Sequence, residues 1–459
     1  MIEPHNKQSL FRRAFGLLLG RIRPSGKPAR SPDSRDLTTL NINDALASQI
    51  NLIEKSLANR HAASIDQKQL KSIIEGYLDL GQSDQRLWMQ VLVSQFDIDE
   101  ETLHDRMLEY LSTHRRDLLK QIRRLMRSPW EKLLQHIQQT PAGLEFLIRL
   151  RSGLLSFDNH PDDLDNLESV LHELLAQEFH PKSLSIRELG VSGQPDLIEM
   201  LVDYQALHQT HTSQQLQNRL EGNHHCFALF HSDLIDTPLV FVLVARVSEI
   251  PDNIHDLYDD HLSATESEGK DNAIIYSISN VASGLEDLGL ESLLVDRLLS
   301  NLDSYFGELE NCLALAPLPG FRDYVKALLS SPESTVKMTR EEVDELNELF
   351  KIGSRESEHE ILESSKLFQH LLTRLCVGYL INEKNGHKAM NTIADFHLSN
   401  GATIDRIHWL GDHLNPGMHQ SFGIMVRYQY KIREYEENRL RYLSDHEIRY
   451  SAGIRELIQ

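Results

Sequence analysis

Apolar and polar positions follow two different rhythms along this chain. From about Asp36 to Phe179, leucine, isoleucine and methionine recur every three or four residues, the spacing of amphipathic helices. NINDALASQINLIEKSLANR is predicted to start at a cap on Asn41. IDQKQLKSIIEGYLDLG is predicted to start at Ser64 and stop at Gly81. DEETLHDRMLEYLSTHRRDLLKQIRRLM reads as one helix ended by Pro129, followed by PWEKLLQHIQQTPAGLEFLIRLRSGLLS and LDNLESVLHELLAQEF. Helices of this kind bury their stripes on one another, so residues 37–179 are expected to form a helical bundle.

At His180-Pro181 the rhythm changes to short runs rich in β-branched and aromatic residues. SLSIRELGV is a candidate strand and QPDLIEMLVDYQALH a candidate helix. HCFALFHS and PLVFVLVARV are strands with an expected turn around Asp236-Thr237-Pro238. A polar connection through residues 250–272 precedes the strand Ala273–Ser279. A loop with Gly284 and Gly289 follows, then leucines at helical spacing to Leu299, then a second strand, Cys312–Ala316, cut by Pro317 and Pro319. Strand, glycine-containing loop and helix start together present backbone N–H groups and a helix dipole to an anion. After a return to helices, including the acidic MTREEVDELNELF, two more strands are expected in ATIDRIHWLG and SFGIMVRYQYKI, and the end is helical. The fold class expected is α+β: an all-α bundle, then a mixed α/β domain over residues 180–459.

Composition narrows the function. A formal net charge of −21 argues against nucleic acid and anionic membrane as partners, which would need a basic footprint. The first 36 residues run the other way. Eight Lys and Arg there face only Glu3, Asp33 and Asp36, as in a basic arm on a cytoplasmic protein or, alternatively, a mitochondrial presequence. Cys226, Cys312 and Cys376 lie apart in apolar runs and read as free thiols in a reducing compartment. Histidine pairs such as His224-His225 and His208/His211 lack the spacing of metal ligands and read as surface or loop residues. No metal is expected.

Four separated stretches, in order, resemble the malonyl-CoA decarboxylase family: YQALH (Tyr204–His208) with HCFALFH and PLVFVLVA; YSISN followed by GL (Tyr276–Leu285); PLPGF (Pro317–Phe321); and FHLSNGA (Phe396–Ala402) with the downstream SFGIMVRYQY. The resemblance runs from about residue 40 to the end. It implies an oligomerising helical bundle and a catalytic domain like that of the GNAT acetyltransferases, with coenzyme A pyrophosphate held at a strand–loop–helix junction. It implies conversion of malonyl-CoA to acetyl-CoA and CO₂ without a cofactor, because the thioester carbonyl is itself the electron sink. Position by position, it makes His397 the catalytic histidine and Tyr430 its neighbouring tyrosine. His208 becomes a site-lining residue, and Asn280, Ser283, Gly284 and Leu285 the coenzyme A loop.

Two departures stand out. The family serve their chemistry with a serine before the first proline of PLPGF; here that position is Ala316, which has no hydroxyl. Losing one positioned catalytic group costs on the order of a hundredfold to ten-thousandfold in rate. Glu286-Asp287 also put two carboxylates where a pyrophosphate is expected. These departures leave two alternatives beside the decarboxylase: a non-catalytic binder of coenzyme A or its thioesters, and a decarboxylase or acyltransferase acting on another acyl-CoA.

Overall fold

The computed structural model describes residues 43–58, 65–157, 164–190, 220, 223–258, 271–330, 338–352 and 355–458. The basic arm, the caps expected at Asn41 and Ser64, the helix expected at QPDLIEMLVDYQALH and therefore His208 lie outside them. The fold is α+β. The chain divides into two units, Met1–Leu174 and Leu175–Gln459.

The first unit is helical among its described residues. Helices span Asp44–Ala58, Gln67–Leu78, Gln82–Gln95, Glu100–Thr113, Arg116–Leu125, Pro129–Gln138 and Gly143–Leu155, and an eighth, Asp165–Glu178, runs across the boundary. The first two are capped by Asn43 and Asp66, whose side chains accept the Leu46 and Lys68 N–H groups at 2.8 and 3.2 Å. Gly81 stops no helix; it is the N-cap of the third. The single helix expected across residues 99–126 is broken at His114, which takes a left-handed conformation (φ 54°). Pro129 starts the next helix at its first turn, where a missing N–H costs nothing. Tyr77, Trp88 and Phe146 pack edge to face at the core. The guanidinium of Arg151, 2% exposed, is held there by Glu168 at 2.8 Å.

The second unit is built on a seven-stranded sheet. Its strands are β1 (Leu184–Leu189), β2 (His224–His231), β3 (Leu234–Val247), β4 (Asp271–Asn280), β5 (Leu309–Pro317), β8 (Thr403–His408) and β9 (Met425–Tyr430). A small hairpin, β6 (Lys384–Asn385) and β7 (Lys388–Ala389), stands apart from it. The spatial order is β1-β2-β3-β4-β5-β9-β8, and among the described strands the one parallel pair is β4–β5. From Leu239 to Ala245, β3 is buried without a break, as a central strand covered on both faces must be.

The hairpin turn between β2 and β3 lies at Ser232-Asp233, not at Asp236-Thr237-Pro238. Those three residues are inside β3, and Pro238 stands opposite Phe230 where the register shifts. A bulge tolerates proline because the extra residue leaves a ladder N–H unneeded. His224 and His225 are likewise no loop residues; they open β2, half-buried, with His224 Nδ1 at 2.9 Å from the Tyr276 hydroxyl.

The β4–β5 pair decides where a ligand can go. The parallel ladder runs from Asp271 opposite Leu309 to Ile275 opposite Ala314, and ends there. β4 continues to Asn280 and β5 to Pro317. On its other side β4 stays paired with β3 up to Asn280, but the register skips at Tyr276, since Leu243 faces Ser277 and Val244 faces Ile275. Tyr276 is thus the extra residue of a bulge, which bends and twists the strand that carries it. The bulge falls at the residue where β4 leaves β5, and it accounts for the parting of the two strands.

Candidate active site

Four segments distant in sequence meet beside this parting. The helix Thr392–Ser399 carries His397 and is capped by Asn391. The Asn391 side chain accepts the Ala394 N–H at 2.9 Å and donates to the Pro319 carbonyl at 2.8 Å, joining this helix to the PLPGF loop. Just past the helix, Asn400 donates to Ser292 Oγ at 3.1 Å, reaching the helix Leu290–Ser300 that follows the glycine loop. Gly401 then turns the chain at φ +86°, and Ala402 N–H returns to the His397 carbonyl at 3.0 Å.

His397 is 4% exposed. Its Nδ1 lies 2.8 Å from the Tyr430 hydroxyl, and its ring stacks on that of Tyr428, centroids 4.4 Å apart and planes 22° off parallel. Burial in apolar surroundings pushes the imidazole pKa down to about 3. Burial, then the neighbouring Cys312 and Tyr428, hold the Tyr430 phenol well above its ordinary value. Both groups are therefore neutral near pH 7. When the Tyr430 O–H donates to Nδ1, the imidazole proton sits on Nε2, which becomes a donor on the far side of the ring.

A folded-state pKa depressed to about 3, against about 6.5 unfolded, means that the unfolded chain binds the extra proton between those values. The stability contributed by His397 is therefore intact above pH 6.5 and is lost as pH falls toward 3, by about 1.4 kcal/mol per unit. Urea melts from pH 7 to pH 5 should show this slope in the wild type and lack it in His397→Gln.

Ala316 belongs to the same face. Side chains alternate along a strand, and directly paired residues share a face. Cys312, Ala314 and Ala316 on β5 thus lie beside Tyr430, Tyr428 and Val426 on β9. His397 and Tyr430 are in contact; Ala316 is two residues beyond Ala314, the residue opposite Tyr428.

The coenzyme A loop expected from the resemblance is a turn of 3₁₀ helix, Ser283–Leu285, with Gly284 and Leu285 buried. The Leu285 and Glu286 N–H groups bond within the turn, to Ala282 and Ser283 carbonyls at 3.0 Å each. The Asn280 amide donates to the Glu291 carboxylate in the first turn of the next helix. Glu291 is pushed above the usual carboxylate range mainly by burial, with Asp287 and Glu286 adding to the shift. Three carboxylates therefore gather around this loop. Among the described residues no group of three His, Cys, Asp or Glu side chains is placed to hold a metal ion. No helix among them is long and apolar enough to cross a membrane.

Sequence reasoning passed over Asn391, and it met Tyr276 and Tyr428 only as members of motifs, without a role. Tyr428 could have been found, because strand alternation places it on the face of Tyr430, two residues on.

An N-terminal helical unit followed by a mixed sheet, with a buried histidine–tyrosine pair next to two parting parallel strands, defines an α+β protein with an enclosed neutral polar site. The malonyl-CoA decarboxylase C-terminal domain family matches residues 183–459, and the malonyl-CoA decarboxylase N-terminal domain family matches residues 96–179. The chain belongs to the malonyl-CoA decarboxylase family. Similar relatives include the mitochondrial malonyl-CoA decarboxylases of Anser anser anser and Mus musculus. Each is 29% identical, over 71% of this chain and 68% and 70% of theirs respectively. Among solved structures, malonyl-CoA decarboxylase from Rhodopseudomonas palustris matches with a TM-score of 0.80 at 23% identity, over 98% of this chain and 99% of that one. The Agrobacterium vitis protein matches at 0.78 and 24%, over 90% and 100%.

Proposed function

We propose that this protein decarboxylates malonyl-CoA to acetyl-CoA and CO₂. The observation that carries the reading is the parting of β4 and β5 beside the His397–Tyr430 pair. Beyond Ile275 and Ala314 the two strands no longer pair with each other, so backbone N–H and C=O groups on their facing edges line an opening. A pantetheine arm is slender and carries two amides, and it can lie there as an added strand does. Its phosphates would then lie toward the mouth, near Ser283–Leu285, and its thioester at the floor, near Ala314.

Decarboxylation breaks the bond to the carboxylate carbon and leaves the electron pair on the thioester as an enolate, which is then protonated at the α-carbon. The surroundings that keep His397 neutral also disfavour a carboxylate charge and favour its loss as neutral CO₂. His397, with its tautomer set by Tyr430, positions the substrate by donating from Nε2. The thioester carbonyl serves as electron sink, so the reaction needs no cofactor. Asn280, Ser283, Gly284 and Leu285 form the coenzyme A loop in this reading.

A second reading, a binder of coenzyme A thioesters without turnover, is favoured by Ala316 and by the three carboxylates at the loop. The assay that separates the two follows acetyl-CoA and CO₂ by mass after addition of malonyl-CoA, beside calorimetry with coenzyme A. Product formation is expected; binding without product supports the second reading, and the absence of both product and binding removes both. A panel of other acyl-CoA substrates in the same assay covers the remaining alternative. The helical unit supports a homo-oligomer. Three buried free thiols support a reducing compartment, which we take to be the cytoplasm. The mitochondrial matrix is the alternative that the basic arm and the names of the animal relatives support.

A further inference from the structure

The departure at Ala316 leaves the reacting face of β5 without a hydroxyl, and the same face offers one from the neighbouring strand. Tyr428 is fully buried, and among the described residues its hydroxyl has no hydrogen-bond partner. Buried hydroxyls are almost always paired, so an orphan of this kind calls for an occupant. The location is specific. Tyr428 pairs with Ala314, and Ala314 pairs with Ile275, the last rung before β4 and β5 part. Ile275, Ala314 and Tyr428 thus form one row across the floor of the opening. Ala316 is the diagonal neighbour of Tyr428, a separation that an aromatic side chain spans. Ala314 and Ala316 carry only methyl groups on that face of β5. The His397 ring stacks on the Tyr428 ring, centroids 4.4 Å apart.

We propose that the Tyr428 hydroxyl supplies to the bound thioester the hydrogen bond that the Ala316 position cannot give. This rests on the malonyl-CoA reading above. The phenol donates to the thioester oxygen as charge develops on it, and no atom is transferred in that step. Burial, with Cys376 and Tyr442 close by, keeps the phenol protonated across the working pH range, as a donor must be.

The test uses the full-length chain and four proteins: wild type, Tyr428→Phe, Ala316→Ser and the double variant. For each, kcat and KM for malonyl-CoA and the melting temperature are measured. Tyr428→Phe is expected to lower kcat about a hundredfold with KM within threefold, and to melt no lower than wild type, because it removes an unpaired buried hydroxyl. Adding Ala316→Ser is expected to restore kcat at least tenfold more in the Tyr428→Phe background than in the wild type, the non-additivity of two donors serving one atom. A wild type without turnover sinks the malonyl-CoA reading and this inference with it. An active wild type beside an equally active Tyr428→Phe overturns the role of Tyr428 alone. A loss of kcat accompanied by a lower melting temperature, with no gain from Ala316→Ser, assigns the ring to packing and overturns it as well.

Discussion

His397→Ala lowers kcat for malonyl-CoA decarboxylation by about a hundredfold to ten-thousandfold, the range for losing one positioned polar group in a site shielded from water. The imidazole is buried, neutral and tied through Nδ1 to Tyr430, which fixes the position of its Nε2 donor. KM should move little, because in the proposed reading most of the binding surface of a coenzyme A thioester lies along β4 and the loop after it. Steady-state kinetics check this. A drop confined to KM, or a loss below tenfold, would remove His397 from the chemistry. Tyr430→Phe should act in the same direction and less strongly, since it removes only the group that selects the imidazole tautomer.

Gly401→Ala is expected to destabilise the protein by about 3 kcal/mol or more. Two effects add. At φ +86° any side chain is strained, by roughly 1–2 kcal/mol. The new Cβ would also stand 1.9 Å from the Tyr435 carbonyl oxygen, a backbone atom that cannot rotate away, and overpacking of that kind costs about 1–3 kcal/mol. A thermal melt should fall by roughly 6–12 °C, at about 2–4 °C per kcal/mol for a unit of this size. Gly401 directly follows the helix that carries His397, and its neighbour Ala402 anchors the His397 carbonyl. Activity should therefore fall further than stability alone requires. An unchanged melting temperature would show that the helix Tyr435–Asp445 can retreat at low cost, and that the close approach is not a constraint.

Much of this architecture was legible along the chain, and the failures are informative. The α+β division follows from the change of period at His180-Pro181, and the strand–loop–helix–strand around the glycine loop was placed to within a few residues. The break at His114 was not legible, since the apolar stripe continues through it and only a left-handed histidine interrupts the helix. Asp236-Thr237-Pro238 has turn chemistry, yet the turn fell earlier because a bulge absorbed the proline. In the site, His397 was reached through its motif alone, since its neighbours Phe396 and Leu398 make it look like a core residue. The contact of Asn391 with Pro319 joins positions 72 residues apart, and no local pattern announces it. The bulge at Tyr276 is a property of how β4 meets β3, with no marker in either segment.

That bulge makes the sheet a ruler. From the closing rung Ile275–Ala314 to Asn280 the unpaired side of β4 spans about 16 Å at the usual rise of a strand. In the proposed reading, a thioester on an arm of matching length would meet Tyr428 and His397 when its phosphates reached the loop. One on a shorter arm would stop short of them, and a longer one would buckle. Discrimination by reach, set by where two strands separate, selects the carrier arm and leaves the choice of acyl group to the residues at the floor.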